Sequence, residues 1–206
     1  MFKFGSEFKV RCSGFGAAVA VVGSLACSSQ PGPAASPADA AAVKQDAADI
    51  HSFARPAEAR VTHVALDLNA DMQAHELRGT ATLTLQRRPG ATELVLDTRD
   101  LDIENVADSG GAALEHTLGD ADPIKGRPLT IKLSGRDGPI AITYKTQPTA
   151  AALQWLAPEQ TAGKRQPYLF SQGEAILTRT WIPTQDSPGI RQTYSAKITA
   201  PAPLRA

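Results

Sequence analysis

The feature that most constrains this chain is an alternation of apolar and polar residues that recurs between Val61 and Thr199. Apolar residues fall at every second position in the runs 64–68, 81–85, 94–96, 129–133, 140–144 and 194–198. This alternation is typical of half-buried strands, because successive strand residues point to opposite faces of a sheet. No long stretch between Val61 and Pro201 has strong helical spacing, so helical crossovers between parallel strands are not expected. The predicted fold is all-β, an antiparallel β-sandwich.

Turn residues between the runs predict two hairpins. Ala70-Asp71-Met72 and Arg78-Gly79 lie between the first two runs, which favours their close pairing. Gly135 to Pro139 joins the runs 129–133 and 140–144 and is rich in Gly and Pro. We therefore predict a second hairpin there.

Charge and cysteine content exclude two classes of protein. Lys plus Arg and Asp plus Glu number 21 each among 206 residues, so no basic field attracts nucleic acid. The two cysteines, Cys12 and Cys27, both precede the strand pattern, which excludes a disulfide framework.

The N-terminus has the order of a secretory signal peptide. Lys3, Lys9 and Arg11 precede an uncharged stretch from 12 to 26, which is shorter than the roughly 20 residues of a membrane helix. Ser24-Leu25-Ala26-Cys27 resembles the lipobox of bacterial lipoproteins, in which the cysteine is acylated, although Ser24 stands where the pattern usually has Leu. A plain secretory signal with an incidental Cys27 is the alternative.

These patterns divide the chain into three parts. We predict a signal peptide with a possible lipobox at 1–27, a disordered Pro/Ala-rich linker at 28–52 and a β domain at 53–206. The expected location is exported, as a periplasmic or outer-membrane-anchored lipoprotein of a bacterium.

Three motif blocks indicate a family. They read ALQWLAPEQTAGK at 152–164, PYLFSQGEAI at 167–176 and IPTQDSPGIRQTY at 182–194. In this order they resemble the M1 zinc metallopeptidases of the leukotriene A4 hydrolase type. The resemblance implies the saddle-like N-terminal β domain of an M1 aminopeptidase, which forms part of the wall of the substrate cleft.

Two residues of the second block match substrate-contacting positions of that family. The resemblance implies that Gln172 and Glu174 bind the first residue of a peptide with a free N-terminus. If they lie two apart on an extended strand, both side chains reach the same ligand. Glu174 would pair with a protonated amine and the Gln172 amide with the peptide backbone. Leukotriene A4 hydrolase has Gln at the second position, so Glu174 favours peptide cleavage over epoxide hydrolysis. The alternative is an exposed strand face with two polar residues.

Nearby residues have structural interpretations. Phe170 and Trp181 are predicted to pack, whereas Tyr168 could pack or line the cleft. Asp186, beside Ser187-Pro188, is predicted to cap local backbone groups at a corner rather than act as an acid.

The zinc-binding and catalytic motifs of the family are not in this sequence. His75-Glu76 begins the His-Glu-x-x-His motif, but Gly79 takes the place of the second histidine in a segment with a strand pattern. Neither a Gly-x-Met-Glu-Asn segment nor a Gly-x-Ser-x-Gly motif occurs. The chain alone is therefore expected to bind no metal and to be inactive, and zinc is expected in a catalytic domain supplied in cis or by an adjacent gene. A fragment or split product of a longer enzyme is the favoured interpretation, and a stand-alone secreted peptide-binding module is the alternative.

Overall fold

A computed structural model describes residues 49–133, 135 and 137–206 of the chain. These residues form ten strands and two short 3₁₀ helices, without an α-helix among them. The strands are β1 Ala59–Asp71, β2 Glu76–Arg87, β3 Glu93–Thr98, β4 Asp102–Ala107, β5 His116–Leu118, β6 Arg127–Lys132, β7 Ile140–Lys145, β8 Leu153–Leu156, β9 Tyr168–Ser171 and β10 Thr193–Thr199. The 3₁₀ helices are Pro158–Gln160 and Thr178–Thr180. The all-β prediction is confirmed.

The largest sheet has five strands in the order β10-β1-β2-β7-β4. β1 and β2 pair antiparallel across the turn at 72–75, so the first predicted hairpin is confirmed. β10 pairs with β1 in parallel, with Tyr194 opposite Val64 and Ile198 opposite Leu68. The sheet is therefore mixed, and the prediction of purely antiparallel pairing is wrong at this edge. The chain between β1 and β10 is long enough to return the last strand in the same direction as the first.

A second sheet has three antiparallel strands in the order β3-β6-β5. The predicted hairpin between the runs 129–133 and 140–144 is wrong, because β6 lies in this sheet and β7 in the larger one. β6 has β3 and β5 on its two edges, and β7 has β2 and β4. Neither strand has a free edge for the other, so the connecting segment crosses between sheets instead of closing a hairpin.

Both sheets contribute to one apolar core. Its fully buried members include Leu83 and Ile142 from the five-stranded sheet and Leu96 and Ile131 from the three-stranded sheet. Burying each such side chain contributes about 1.5–3 kcal/mol. The alternation visible in the sequence thus marks the faces that the two sheets share.

The predicted signal peptide, Cys27 and the linker as far as residue 48 lie outside the described residues. At the end of the predicted linker, the Ser52 hydroxyl donates a hydrogen bond to the buried carboxylate of Asp97 at 2.6 Å. No helix in the described part of the chain is both long and apolar enough to cross a membrane.

Candidate functional site

The candidate site begins where a two-stranded sheet ends. β8 and β9 pair antiparallel, with Leu153 opposite Ser171. The Gln172 amide extends this ladder by donating to the Ala152 carbonyl at 2.8 Å. The chain then turns, since the Leu177 amide donates to the Gly173 carbonyl at 2.9 Å.

Gln172 and Glu174 therefore do not lie two apart on an extended strand, and that part of the prediction is wrong. The turn brings them together in another way. The Glu174 amide donates to the Gln172 side-chain oxygen, Oε1, at 2.5 Å. A side chain at Gly173, between them, would require the Thr178 hydroxyl to move, because a Cβ there would lie 2.5 Å from Thr178 Oγ1.

Both side chains are exposed to solvent, with different hydrogen-bonding capacity left for a ligand. Gln172 uses its oxygen on the Glu174 amide, so its amide nitrogen, Nε2, is the group left to donate. Within the described ranges, the Glu174 carboxylate has neither a hydrogen-bond donor nor a cationic partner. An exposed carboxylate in this state is available to a cation or to several N–H donors.

Strand β9, which precedes this turn in the chain, carries two aromatic side chains. Tyr168 and Phe170 lie on one face of the strand with their ring centroids 6.3 Å apart. Phe170 is 41 % exposed, so the prediction that it packs in the core is wrong. β9 pairs only with β8 in the described structure, and Leu169 rather than Phe170 packs against the core. Trp181 packs against the core as predicted. A groove of about 310 Å³ is lined by residues that include Tyr168, Phe170, Trp181 and Leu153.

A buried ionic network lies behind the turn, and sequence reasoning missed it. The Arg179 side chain is fully buried, with Asp186 Oδ2 at 3.1 Å from its Nε and Asp97 Oδ2 at 3.8 Å from Nη2. Its Nη1 donates to the Lys125 carbonyl at 2.9 Å and its Nη2 to the Asp186 carbonyl at 2.8 Å. The signal that could have found it is that Arg179 is the single charged residue between Ala175 and Gln185.

Asp97 is the second buried charge of this network. Burial raises the pKa of its carboxyl, opposed by hydrogen bonds from the Ser52 hydroxyl and the Phe53 and Asp186 amides and by the charge of Arg179. Asp186 Oδ2 also accepts from the Arg179 amide at 3.1 Å. Asp186 thus accepts from a backbone amide as predicted, but that amide is 7 residues earlier in the chain rather than in its own turn, and the structure adds its pairing with the Arg179 side chain.

The described residues do not fit a zinc site. Their His, Cys, Asp and Glu side chains include no group of three or more that could hold a metal ion. His75 lies in the turn before β2 with a φ of 55°, and its ring stacks on Trp155 at a centroid distance of 5.2 Å. The strand interpretation of this segment is confirmed from Glu76 onward, where β2 begins, but His75 itself lies in the turn.

Sequence comparison identifies the family. Residues 60–206 match the profile of the Peptidase M1 N-terminal domain. The chain therefore belongs to the M1 peptidase family, of which it contains the N-terminal domain.

Individual relatives agree with this. Leukotriene A-4 hydrolase of Xenopus laevis is 39% identical over 165 residues, which are 77% of this chain and 27% of that protein. Leucine aminopeptidase 2 of Yarrowia lipolytica is 39% identical over 146 residues, which are 69% of this chain and 22% of that protein. The chain thus spans about a quarter of the length of these relatives.

Solved structures show the same fold. Yeast leukotriene A4 hydrolase in complex with bestatin matches with a TM-score of 0.71 and 29% identity, over 78% of this chain and 26% of that one. A Deinococcus radiodurans M1 zinc metallopeptidase bound to a Tyr-Ser-Ala substrate matches with a TM-score of 0.53 and 19% identity, over 70% of this chain and 33% of that one. The second match shows the fold alone.

Proposed function

We propose that this chain is the substrate-binding N-terminal domain of a zinc-dependent M1 aminopeptidase, which removes N-terminal residues from peptides. Membership of the M1 family supports the reaction class, and the similarity to a leucine aminopeptidase supports peptides as substrates. Gln172 and Glu174 are the residues proposed to contact the first residue of the substrate.

The observation that carries the proposal is the exposed carboxylate of Glu174, which has no partner in the described structure. A protonated α-amine carries one positive charge and three donors, which complement such a carboxylate. Gln172 stands beside it with a free Nε2 donor, which suits a carbonyl oxygen of the same peptide. Together the two groups would measure the distance from a free N-terminus to the first peptide bond, which favours removal of a single residue.

Glu174 also favours peptides over epoxides as substrates. The negative charge supplies a counter-ion for an amine, whereas a neutral Gln at this position, as in leukotriene A4 hydrolase, lacks that charge. We therefore propose aminopeptidase activity rather than epoxide hydrolysis for the complete enzyme.

Catalysis in this proposal requires groups that the described residues do not supply. The described residues do not form a zinc site, so in this proposal they bind substrate and do not hold the metal. The zinc and the residues that activate water would belong to a catalytic domain, present in cis or encoded by an adjacent gene. The chain covers 27% or less of the two relatives compared above, which is compatible with such a further domain.

We also propose that the enzyme is exported and is attached to a membrane through an acylated Cys27. The basic segment, the apolar stretch after it and the cysteine at the end of that stretch support this location. An exported aminopeptidase would trim peptides outside the cytoplasm.

The test is aminopeptidase activity on amino-acid amide reporters with added Zn²⁺. The 206-residue chain is compared with a form extended through any downstream coding sequence. We expect only the extended form to cleave. Glu174→Gln in that form is expected to lower kcat/KM by about 10- to 100-fold, the usual effect of losing one charged hydrogen bond.

Glu159→Gln is the matched control, since Glu159 is also exposed and follows β8. Equal activities of the Glu174→Gln and Glu159→Gln forms would refute the site assignment. If the 206-residue chain binds peptides tightly while no extended form cleaves, the enzyme proposal fails and a peptide-binding module takes its place.

A further inference from the structure

We infer that Thr180 is the positioning residue for the turn at 172–177, which carries Gln172 and Glu174. The inference rests on the proposed function of those two residues. Thr180 lies in the 3₁₀ helix Thr178–Thr180 and is buried, so it does not itself meet a ligand.

A closed ring of hydrogen bonds connects Thr180 to both ends of the turn. The Thr180 hydroxyl donates to the Leu177 carbonyl at 2.7 Å and accepts from the Ala152 amide at 3.1 Å. The Ala152 carbonyl accepts from the Gln172 amide at 2.8 Å, and the Leu177 amide donates to the Gly173 carbonyl at 2.9 Å. The hydroxyl thus links the entry of the turn, through Ala152, to its exit at Leu177, whose carbonyl also accepts from the Thr180 amide at 2.9 Å.

The ring is anchored to the core through the preceding residue. The Arg179 amide donates to Asp186 Oδ2, and the Arg179 carbonyl accepts from the Arg99 amide at 2.9 Å. With the Arg179 side chain held in the buried ionic network, the backbone next to Thr180 has little freedom. The core of the domain, rather than the exposed strand β9, therefore holds Gln172 and Glu174 in position.

A hydroxyl is required at position 180 because it both donates and accepts. Valine has the same shape and does neither, so Thr180→Val removes two of the ring's hydrogen bonds at once. Ala152 is fully buried, which prevents water from replacing the lost acceptor of its amide. Thr180→Ser keeps the hydroxyl and is the conservative variant.

The first test is amide hydrogen exchange of the 206-residue protein followed by NMR. Thr180→Val is expected to speed exchange of the Leu177 and Gln172 amides by about tenfold or more, although their own acceptors are unchanged. Thr180→Ser is expected to stay near wild type.

Thr146→Val is the matched control, because it removes a buried hydrogen bond and should lower the stability of the domain while leaving the ring around Thr180 intact. The buried Thr146 hydroxyl accepts from the Leu77 amide at 3.0 Å, the same kind of bond outside the ring. Exchange at Leu177 and Gln172 that is no faster in Thr180→Val than in Thr146→Val would overturn the inference.

A measurement on the unaltered protein covers the case in which Thr180→Val does not fold. The Thr180 hydroxyl proton is expected to exchange slowly with water and to show a nuclear Overhauser effect to the Ala152 amide, because the hydroxyl is buried and engaged with both partners. Fast exchange of this proton would contradict the inference.

Kinetics separate this inference from the proposed function. In the extended aminopeptidase, Thr180→Val is expected to raise KM about tenfold with a smaller effect on kcat, and Thr180→Ser to restore KM. If Glu174→Gln impairs cleavage but Thr180→Val changes neither exchange nor KM beyond the Thr146→Val control, the inference fails and the function stands. If Thr180→Val mobilises the turn but Glu174→Gln leaves cleavage unchanged, the proposed function fails while Thr180 still positions the turn.

Discussion

Replacing Arg179 by methionine tests how much the buried ionic network stabilises the domain. The substitution keeps a long apolar stem and removes the guanidinium, which is fully buried with Asp97 and Asp186 as its acidic partners. Asp97 then stays buried without its cationic partner, and the Lys125 and Asp186 carbonyls lose a donor each.

The expected loss follows from these contacts. Breaking a buried ion pair by removing one partner costs about 3–5 kcal/mol, because the remaining charge is left uncompensated. A natural domain has a free energy of unfolding of about 5–15 kcal/mol, so the variant would lose a large part of its stability. We expect the free energy of unfolding to fall by about 3–5 kcal/mol.

Urea unfolding at pH 7, followed by far-ultraviolet circular dichroism, measures the change in free energy. Arg78→Met is the control, since Arg78 pairs with Glu104 at 3.0 Å but its side chain is 62% exposed. That exposed pair is expected to contribute less than about 1 kcal/mol. If Arg179→Met lowers the free energy of unfolding no more than Arg78→Met does, the argument that burial makes this network stabilising is refuted.

Two further predictions concern Asp97 and Cys27. Burial raises the pKa of Asp97 above its ordinary 3.8, so the folded state binds its proton more tightly, and this residue's contribution to stability is lost as pH rises through the raised pKa. The asparagine of the Asp97→Asn variant does not titrate. The free energy of unfolding of the wild type minus that of the variant, measured with urea, should therefore fall as pH rises. A rise in this difference would mean that the hydrogen bonds and the charge of Arg179 outweigh burial. Metabolic labelling of the full-length chain with palmitate should label the wild type and not Cys27→Ser, and an unlabelled wild type would reject the lipid anchor in favour of a plain secretory signal.

Local patterns predicted the strands well because strand formation leaves a local signature. Val64, Leu66 and Leu68 alternate with exposed or half-buried residues in β1 as the sequence indicated. Failures arose where a distant partner decides the outcome. The runs that became β6 and β7 each looked like one arm of a hairpin, but both edges of each strand are taken by other strands.

The candidate site shows the same division. Gln172 and Glu174 were identified from the motif block that contains them, while the turn that brings them together depends on Thr180 and Ala152. Phe170 was predicted to pack because its size and strand context favour burial. Its exposure depends on which face of β9 meets the core, and Leu169, on the opposite face of the strand, makes that contact.

The sequence by itself determined the all-β class, most strand positions and the M1 family, because alternation and motif order are properties of neighbouring residues. Only the tertiary structure decided that β10 runs parallel to β1, that β6 and β7 lie in different sheets, and that Arg179 meets Asp97 in the interior. Those outcomes depend on contacts between segments far apart in the chain. Such contacts form only when the whole core is assembled, since burial and charge pairing there are shared among several elements at once.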